Sequence, residues 1–501
     1  MSDGIVAPPR TLLAVVRRLG PGLIVAGSIV GSGELIATTK VGAESGFVLL
    51  WLILVGCVIK VFTQVELGRS AVVRGVTALQ VLDDLPGPRL RAGWAVWLWV
   101  AMTLLTLAQQ GGIIGGVGQA LAMTQPLTDA GAQFHELQEE LVSLQVQHAL
   151  NPLAAQVAET TARMQVLRSQ LAVVGPVHDE AIWATVLAVP TSVILVVGRF
   201  AMIQMLATIF VVAFTLVTML TVVMLQLDPV WAIRSADVVH GLSFQLPPSS
   251  ATSSGNGASS IATALAAFGI IGVGAAELVM YPYWCIEKGY ARMTGAADGS
   301  SAWRERARGW MRVLQCDAWL SAVVYTFATV AFFLLGAAVL GRIGLNLEKE
   351  NLVRTLAQMY APVFGSWATP VFLVGAFAVL YSTFFVASAG LARIAADCVI
   401  VLRLAPATAA ARLRYTRVFC GALPLVSLLV FLWVRAPAQL VLAGGIAQAL
   451  MLPVLGFAAL WSRYRRTDAG LTPGKLWDAL LWLSCVGFLI AGVWAVVSHL
   501  G

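Results

Sequence analysis

Long apolar runs alternate with short polar connections along almost the whole chain. Eleven runs are long enough to cross about 30 Å of hydrocarbon as helices. They lie at residues 20–40, 46–68, 93–121, 182–198, 201–226, 262–286, 313–341, 366–392, 416–434, 438–461 and 476–498. The pattern predicts an all-α polytopic membrane protein. Two connections are longer than the rest. Residues 122–181 read as a helical hairpin: Phe134, Leu137, Leu141 and Leu144 repeat at helical spacing, Asn151-Pro152 breaks the run, and Val157, Met164, Leu167 and Leu171 resume it. The hairpin either folds on itself or docks a partner or a second copy of the chain. Residues 227–260 end in a stretch rich in Ser, Gly and Pro and read as an external linker.

Composition agrees with the pattern. Of the 501 residues, 59% are hydrophobic and 11% are charged, against about a quarter charged in a soluble domain. The net charge of +7 raises nucleic acid as a partner only until the charges are placed. With the N-terminus inside, 22 of the 32 Lys and Arg fall on one set of alternate connections. Cytoplasmic loops collect such residues. The surplus is therefore a topology signal, N-terminus cytoplasmic and C-terminus outside in a cell (plasma or inner) membrane, and no nucleic-acid partner is expected. The first 20 residues carry no cleavable signal pattern. Cys57, Cys285, Cys316, Cys398, Cys420 and Cys485 show no CxxC spacing and read as buried free thiols. No P-loop or HExxH motif is present, so an enzyme is not expected.

Polar or broken stretches inside a span are where function is expected. Span 1 reads Val30-Gly31-Ser32-Gly33-Glu34-Leu35, and span 6 reads Val273-Gly274-Ala275-Ala276-Glu277-Leu278. The two match at Val, Gly, Glu and Leu in register, each near the start of a five-span half. Span 6 comes five crossings after span 1, an odd step, so the halves run in opposite directions. Residues 1–226 form one inverted repeat, 261–461 the other, and 462–501 carry the eleventh span. Paired, glycine-interrupted segments of this kind mark the midplane site of a secondary transporter. Breaking a helix there frees carbonyls and aims half-helix ends at the substrate. Glu34 and Glu277 are the candidate ligands for a small cationic substrate, with Gly31, Ser32, Gly33 and Ala276 around them. Each glutamate needs a cation, a proton or a polar partner in hydrocarbon. Gly111, Gly112, Gly115 and Gly116 in span 3 read instead as close helix packing.

Gly20-Pro21-Gly22, the broken segment after it, Gly46-Phe47-Val48-Leu49-Leu50-Trp51, span 6 after Gly269-Ile270-Ile271-Gly272, and Leu452-Pro453 together resemble the Nramp divalent-metal transporters. The resemblance covers most of the chain outside 122–181. It implies the LeuT-like fold, two inverted five-helix repeats plus an eleventh transmembrane helix, and alternating access around spans 1 and 6. The departures are in the metal motifs. The family's Asp-Pro-Gly-Asn is replaced by Gly31, Ser32, Gly33 and Glu34. Its Met-Pro-His falls, without gaps, on Ala276, Glu277 and Leu278, whereas a gapped match would use Met280. The span 3 acids that carry protons in the family correspond to Thr106 and Gln109, so proton coupling by that route is not expected.

Two carboxylates with hydroxyls and carbonyls, without sulfur or imidazole, suit a hard divalent cation of the Mg²⁺ or Mn²⁺ class. The alternative is an amine or amino-acid-like substrate, with a glutamate on its ammonium and sodium between span 1 carbonyls and Ser382, Thr383 or Ser388. A receptor-like protein using the hairpin is a third reading. Lys60 with Glu66, and Arg393 with Asp397, are in-span charges that fit inner gate ion pairs or snorkelling to the interface. No cofactor is expected; a divalent cation is the transported ion of the first reading and sodium the coupled ion of the alternative.

Overall fold

The computed structural model describes residues 4–150, 154–174, 177–198, 200–247, 257–345 and 352–500. Ten of the eleven expected crossings are, among the described residues, long and apolar enough to span a bilayer. Span 1 falls outside that set because it is two short pieces: half-helix 1a (Pro21–Ile29) and half-helix 1b, wound wide over Ser32–Thr38 and regular over Thr39–Ser45. Span 2 is Leu50–Arg74, span 3 Trp94–Thr124, span 4 Asp179–Val197 and span 5 Phe200–Met224. Span 6 is again two pieces, 6a (Gly257–Ile270) and 6b (Ala275–Glu287). Spans 7 to 11 are Ser301–Leu335, Ala368–Val401, Ala409–Val434, Pro437–Arg465 and Lys475–Leu500. A helix satisfies its own backbone, which is why apolar runs of this length take no other form in hydrocarbon. The only strands among the described residues are a two-residue ribbon, Arg89–Leu90 with Ala92–Gly93.

Bonds between connections sort the loops into two ends. At the basic end, Arg304 pairs with Asp468 at 3.0 Å, Arg69 donates to the Leu471 carbonyl at 3.1 Å, and Tyr290 reaches the Arg18 carbonyl at 2.8 Å. The N-terminal segment and the connections after spans 2, 6 and 10 therefore share one end. At the opposite end, Trp51 donates to the Gln245 carbonyl at 2.9 Å and Arg342 to the Val230 carbonyl at 2.9 Å. The broken helices run between these ends in the middle of the bundle. Span 10 lies along span 3 and 6a, and small residues permit the approach, a Cβ on Gly112 meeting Val441 at 2.9 Å.

The hairpin forms as helices Asp129–Leu150 and Ala154–Val173, while Asn151-Pro152 lies outside the described residues. Leu141 and Leu167 are its most buried stripe residues. It does more than fold on itself. Asp179 closes its base by accepting from the Leu127 amide at 2.7 Å and the Thr128 hydroxyl at 2.6 Å. Arg354, on the short helix Leu352–Ala357 ahead of span 8, donates to His135 Nδ1 at 3.3 Å and pairs with Glu139 at 3.5 Å. The 227–260 connection holds a helix, Ser235–Gly241, and the first turn of 6a from Gly257, while 248–256 lie outside the described residues. One expectation is corrected. The six cysteines are free, but Cys316 is exposed and Cys485, set against Gly456 of span 10, is half-buried.

Burial, with the Arg354 guanidinium beside it, pushes His135 down to about 4. The docked hairpin therefore holds a neutral imidazole, and protonation sets two cations against each other. Because the docked value is depressed, the contribution is complete above the free value of about 6.5 and is lost as pH falls through about 4. Spin-label distances between the hairpin and the Leu352–Ala357 helix should hold one narrow population above about pH 6.5 and broaden in acid. In His135→Gln the acid broadening should disappear.

Candidate functional site

Half-helix 1a ends where Val30 leaves helical geometry, at ψ 73°. The backbone of Gly31 then passes against span 8 so closely that a Cβ there would fall on the Thr383 hydroxyl. Glycine is demanded here by approach, not by a positive φ. A Cβ on Gly33 would meet the Ile270 carbonyl at 2.9 Å, so the start of 1b lies against the end of 6a. In span 6 the chain turns through Gly272 at φ +61°, a left-handed conformation that side chains resist. Gly274 is extended and caps 6b. The two breaks face each other inside the bundle, as the matched sequence segments imply.

A buried polar chain ties them together. Gln109 of span 3 donates to Ser32 at 3.2 Å, Gln448 of span 10 donates to Gln109 at 2.6 Å, and the Ala276 amide at the start of 6b donates to Gln448 at 2.9 Å. Beside this chain is a cavity of about 10 Å³, room for one water or one bare ion. Glu277, Ala276, Thr106, Gln109, Gln110 and Met280 supply its polar and sulfur-bearing lining, and Trp99 and Leu391 are among its apolar walls. Glu277 is half-buried, and its nearest hydroxyl donor, Ser28, stands 3.4 Å away. Gln110 Oε1 has no hydrogen-bond partner among the described residues. The Thr106 hydroxyl donates to the Met102 carbonyl and keeps its lone pairs for the cavity.

The two glutamates stand in different surroundings, and Glu34 Oε2 is buried with no hydrogen-bond partner among the described residues. Glu34 has no exposed surface and lies outside the cavity lining. Its Oε1 accepts the Gly272 amide at 3.2 Å and the Thr329 hydroxyl of span 7 at 3.1 Å. It holds the span 6 break, as Gln448 does from the other side. Gly31, Ser32 and Gly33 likewise stand behind the lining. Among the described residues no group of three or more His, Cys, Asp or Glu is placed to hold a metal. Sequence reading missed Gln110 and Gln448, and reached Met280 only through the gapped match. An amide in the middle of apolar span 10 and the second amide of the Gln109-Gln110 pair were the available signals. Met280 follows Glu277 by three residues, so both face the same side of 6b.

The expected gate pairs separate in space. Lys60 is fully buried at mid-span and donates to span 6 carbonyls, so it neither pairs with Glu66 nor snorkels. Glu66 is gripped by Arg69 through two bonds of 2.9 Å and by Trp477 of span 11 at 2.7 Å. Arg393 pairs with Glu287 at 2.5 Å and stacks on Trp284. Asp397 accepts from Arg412 at 2.7 Å, Thr77 at 2.6 Å and Tyr283 at 2.7 Å. Tyr281, on the other flank of 6b, donates to Asp317 at 3.0 Å, and Asp317 also accepts the Gly20 and Gly22 amides at the start of 1a. Toward the basic end, 6b is thus clasped by two Tyr–Asp bonds that the spacing of charges did not indicate. In span 8, Ser382 donates to its own helix at Val379, while Thr383 Oγ1, facing Gly31, has no partner among the described residues.

No sequence-family profile matches the chain, and no curated protein matches it. Solved structures do. The Eremococcus coleocola manganese transporter, in complex with an aromatic bis-isothiourea substituted compound, superposes with a TM-score of 0.60 at 14% identity, over 100% of this chain and 92% of that one. MhsT in complex with L-phenylalanine superposes with a TM-score of 0.53 at 15% identity, over 99% of both chains. This chain has the LeuT fold. Its inverted five-span halves, broken first members and eleventh span are those of that fold. The cavity described above is lined from spans 3, 6 and 8.

The Gly31 contact makes a direct test. Gly31→Ala should cost about 1–3 kcal/mol by overpacking and lower the melting midpoint of the purified protein. Thr383→Ala in the same chain should recover much of the loss, and an unaltered midpoint in the single variant would contradict the contact.

Proposed function

We propose that this chain is a secondary transporter working by alternating access, and that it carries a small divalent cation of the Mg²⁺ or Mn²⁺ class through the Glu277 cavity. One observation carries the reading: Glu277, at the start of 6b, lines a cavity sized for one ion, and its hydroxyl neighbour Ser28 stands 3.4 Å away. A carboxylate in that position needs a cation. The surrounding donors are mostly oxygens, from Thr106, Gln109, Gln110 and Glu277, which suits a hard ion. The sulfur-free donor set expected from sequence is amended by Met280, whose thioether tilts the balance toward Mn²⁺ over Mg²⁺ and Ca²⁺.

Glu34 is a positioning residue in this scheme. It keeps the span 6 break in the shape that presents Glu277. Thr106 and Gln109 cannot titrate, so proton transfer does not run through span 3. The basic end faces the cytoplasm in a cell membrane, and the Tyr281–Asp317 and Tyr283–Asp397 bonds are the closures that release 6b when the site opens toward it. A second reading, transport of a small amine, is favoured by the apolar and aromatic walls Trp99, Met102 and Leu391. It requires the cavity to enlarge well beyond one ion, with sodium at Thr383 supplying coupling.

Uptake into proteoliposomes separates the two. Mn²⁺ and Mg²⁺ should enter and amino acids should not. Glu277→Gln should cut uptake by roughly a hundredfold while the protein still elutes as a folded species. Met280→Ala should lower Mn²⁺ uptake more than Mg²⁺ uptake. Full activity in Glu277→Gln, or uptake of amines alone, would overturn the metal reading.

A further inference from the structure

Half-helix 6a stops in the middle of the bundle, so its last carbonyls have no helical donors and carry the negative end of the helix dipole. In hydrocarbon they need a partner. That partner is Lys60, halfway along span 2 and without exposed surface. Its ammonium donates to the carbonyls of Phe268 and Ile271, the latter at 2.7 Å, and lies 4.8 Å from the centre of the Phe268 ring. Among the described residues it makes no ion pair. Two backbone oxygens and an aromatic face are the donor set of a small monovalent-cation site. On the other side of the same turn, Glu34 takes the Gly272 amide. The break is therefore held at its carbonyls by a positive charge from span 2 and at its amide by a carboxylate from span 1.

We infer that the Lys60 ammonium is a built-in cation occupying a monovalent-cation site made by the span 6 break, in place of a bound ion. The site is separate from the Glu277 cavity, whose lining does not include Lys60. One turn further along the same face of span 2, Thr63 and Gln64 are buried with hydroxyl and amide unpartnered among the described residues. Shortening Lys60 thus opens a space with polar borders, which a free ammonium or alkali ion can enter.

Melting of the purified full chain in detergent reads this site whatever the cavity transports. Choline, sodium and methylammonium chloride are compared at equal ionic strength. Lys60→Ala should melt several degrees below the wild type in choline. It should regain much of that loss in methylammonium with a saturable dependence, and gain more than the wild type does. Lys60→Arg, which keeps the cation, should melt near the wild type. Lys60→Met, of similar length without charge, should fall with the alanine variant. Equal melting of Lys60→Ala in all three salts, or wild-type melting of Lys60→Met, overturns the inference. If Lys60→Ala does not fold, the Arg and Met pair decides by the folded fraction on size exclusion: Arg folded and Met not supports a built-in cation, and equal behaviour overturns it.

Discussion

A helix interrupted inside a bilayer leaves backbone groups that lipid cannot satisfy. Much of this structure answers that constraint. The span 6 turn is held by Lys60 at its carbonyls, Glu34 at the Gly272 amide and Gln448 at the Ala276 amide. The start of 1a is held by Asp317 through the Gly20 and Gly22 amides. These supports come from spans 1, 2, 7 and 10, so the breaks gather the bundle around themselves. Once their backbone is satisfied by side chains, the half-helix 6b can present Glu277 to a cavity.

The same constraint divides labour between two residues that look equivalent. Glu34 and Glu277 occupy matching positions in inverted halves. Glu34 lies where the wide-wound start of 1b turns it toward span 6 and Thr329, and its Oε1 is spent on structure. Glu277 lies in the first turn of 6b, at the positive end of that half-helix, and opens to the cavity. Sequence symmetry sets the position of a residue in its repeat. It does not set the neighbours, because each half packs against the other and not against a copy of itself in the same orientation.

The gate residues teach a related lesson. Arg393 and Asp397 sit four residues apart on span 8, the spacing of a helical ion pair. Tertiary partners outcompete it: Glu287 takes the arginine, and Arg412, Thr77 and Tyr283 take the aspartate. A buried carboxylate gains more from three donors than from one neighbour on its own helix. The tyrosines that clasp 6b carried no charge and so left no mark in a reading that followed charges.

The sequence by itself determined the eleven apolar runs, their division into opposed halves, the two breaks and the hairpin. Each of these follows from local periodicity, from glycine, or from the cost of polar groups in lipid, all of which are written in consecutive residues. Only the tertiary structure decided that Glu277 and not Glu34 faces the cavity, that Met280 and Gln110 join it with Gln448 bonded behind them, and that Lys60 serves span 6 and not Glu66. Those choices depend on which groups from distant spans meet in a low-dielectric interior, where a polar atom takes whichever partner packing brings within reach.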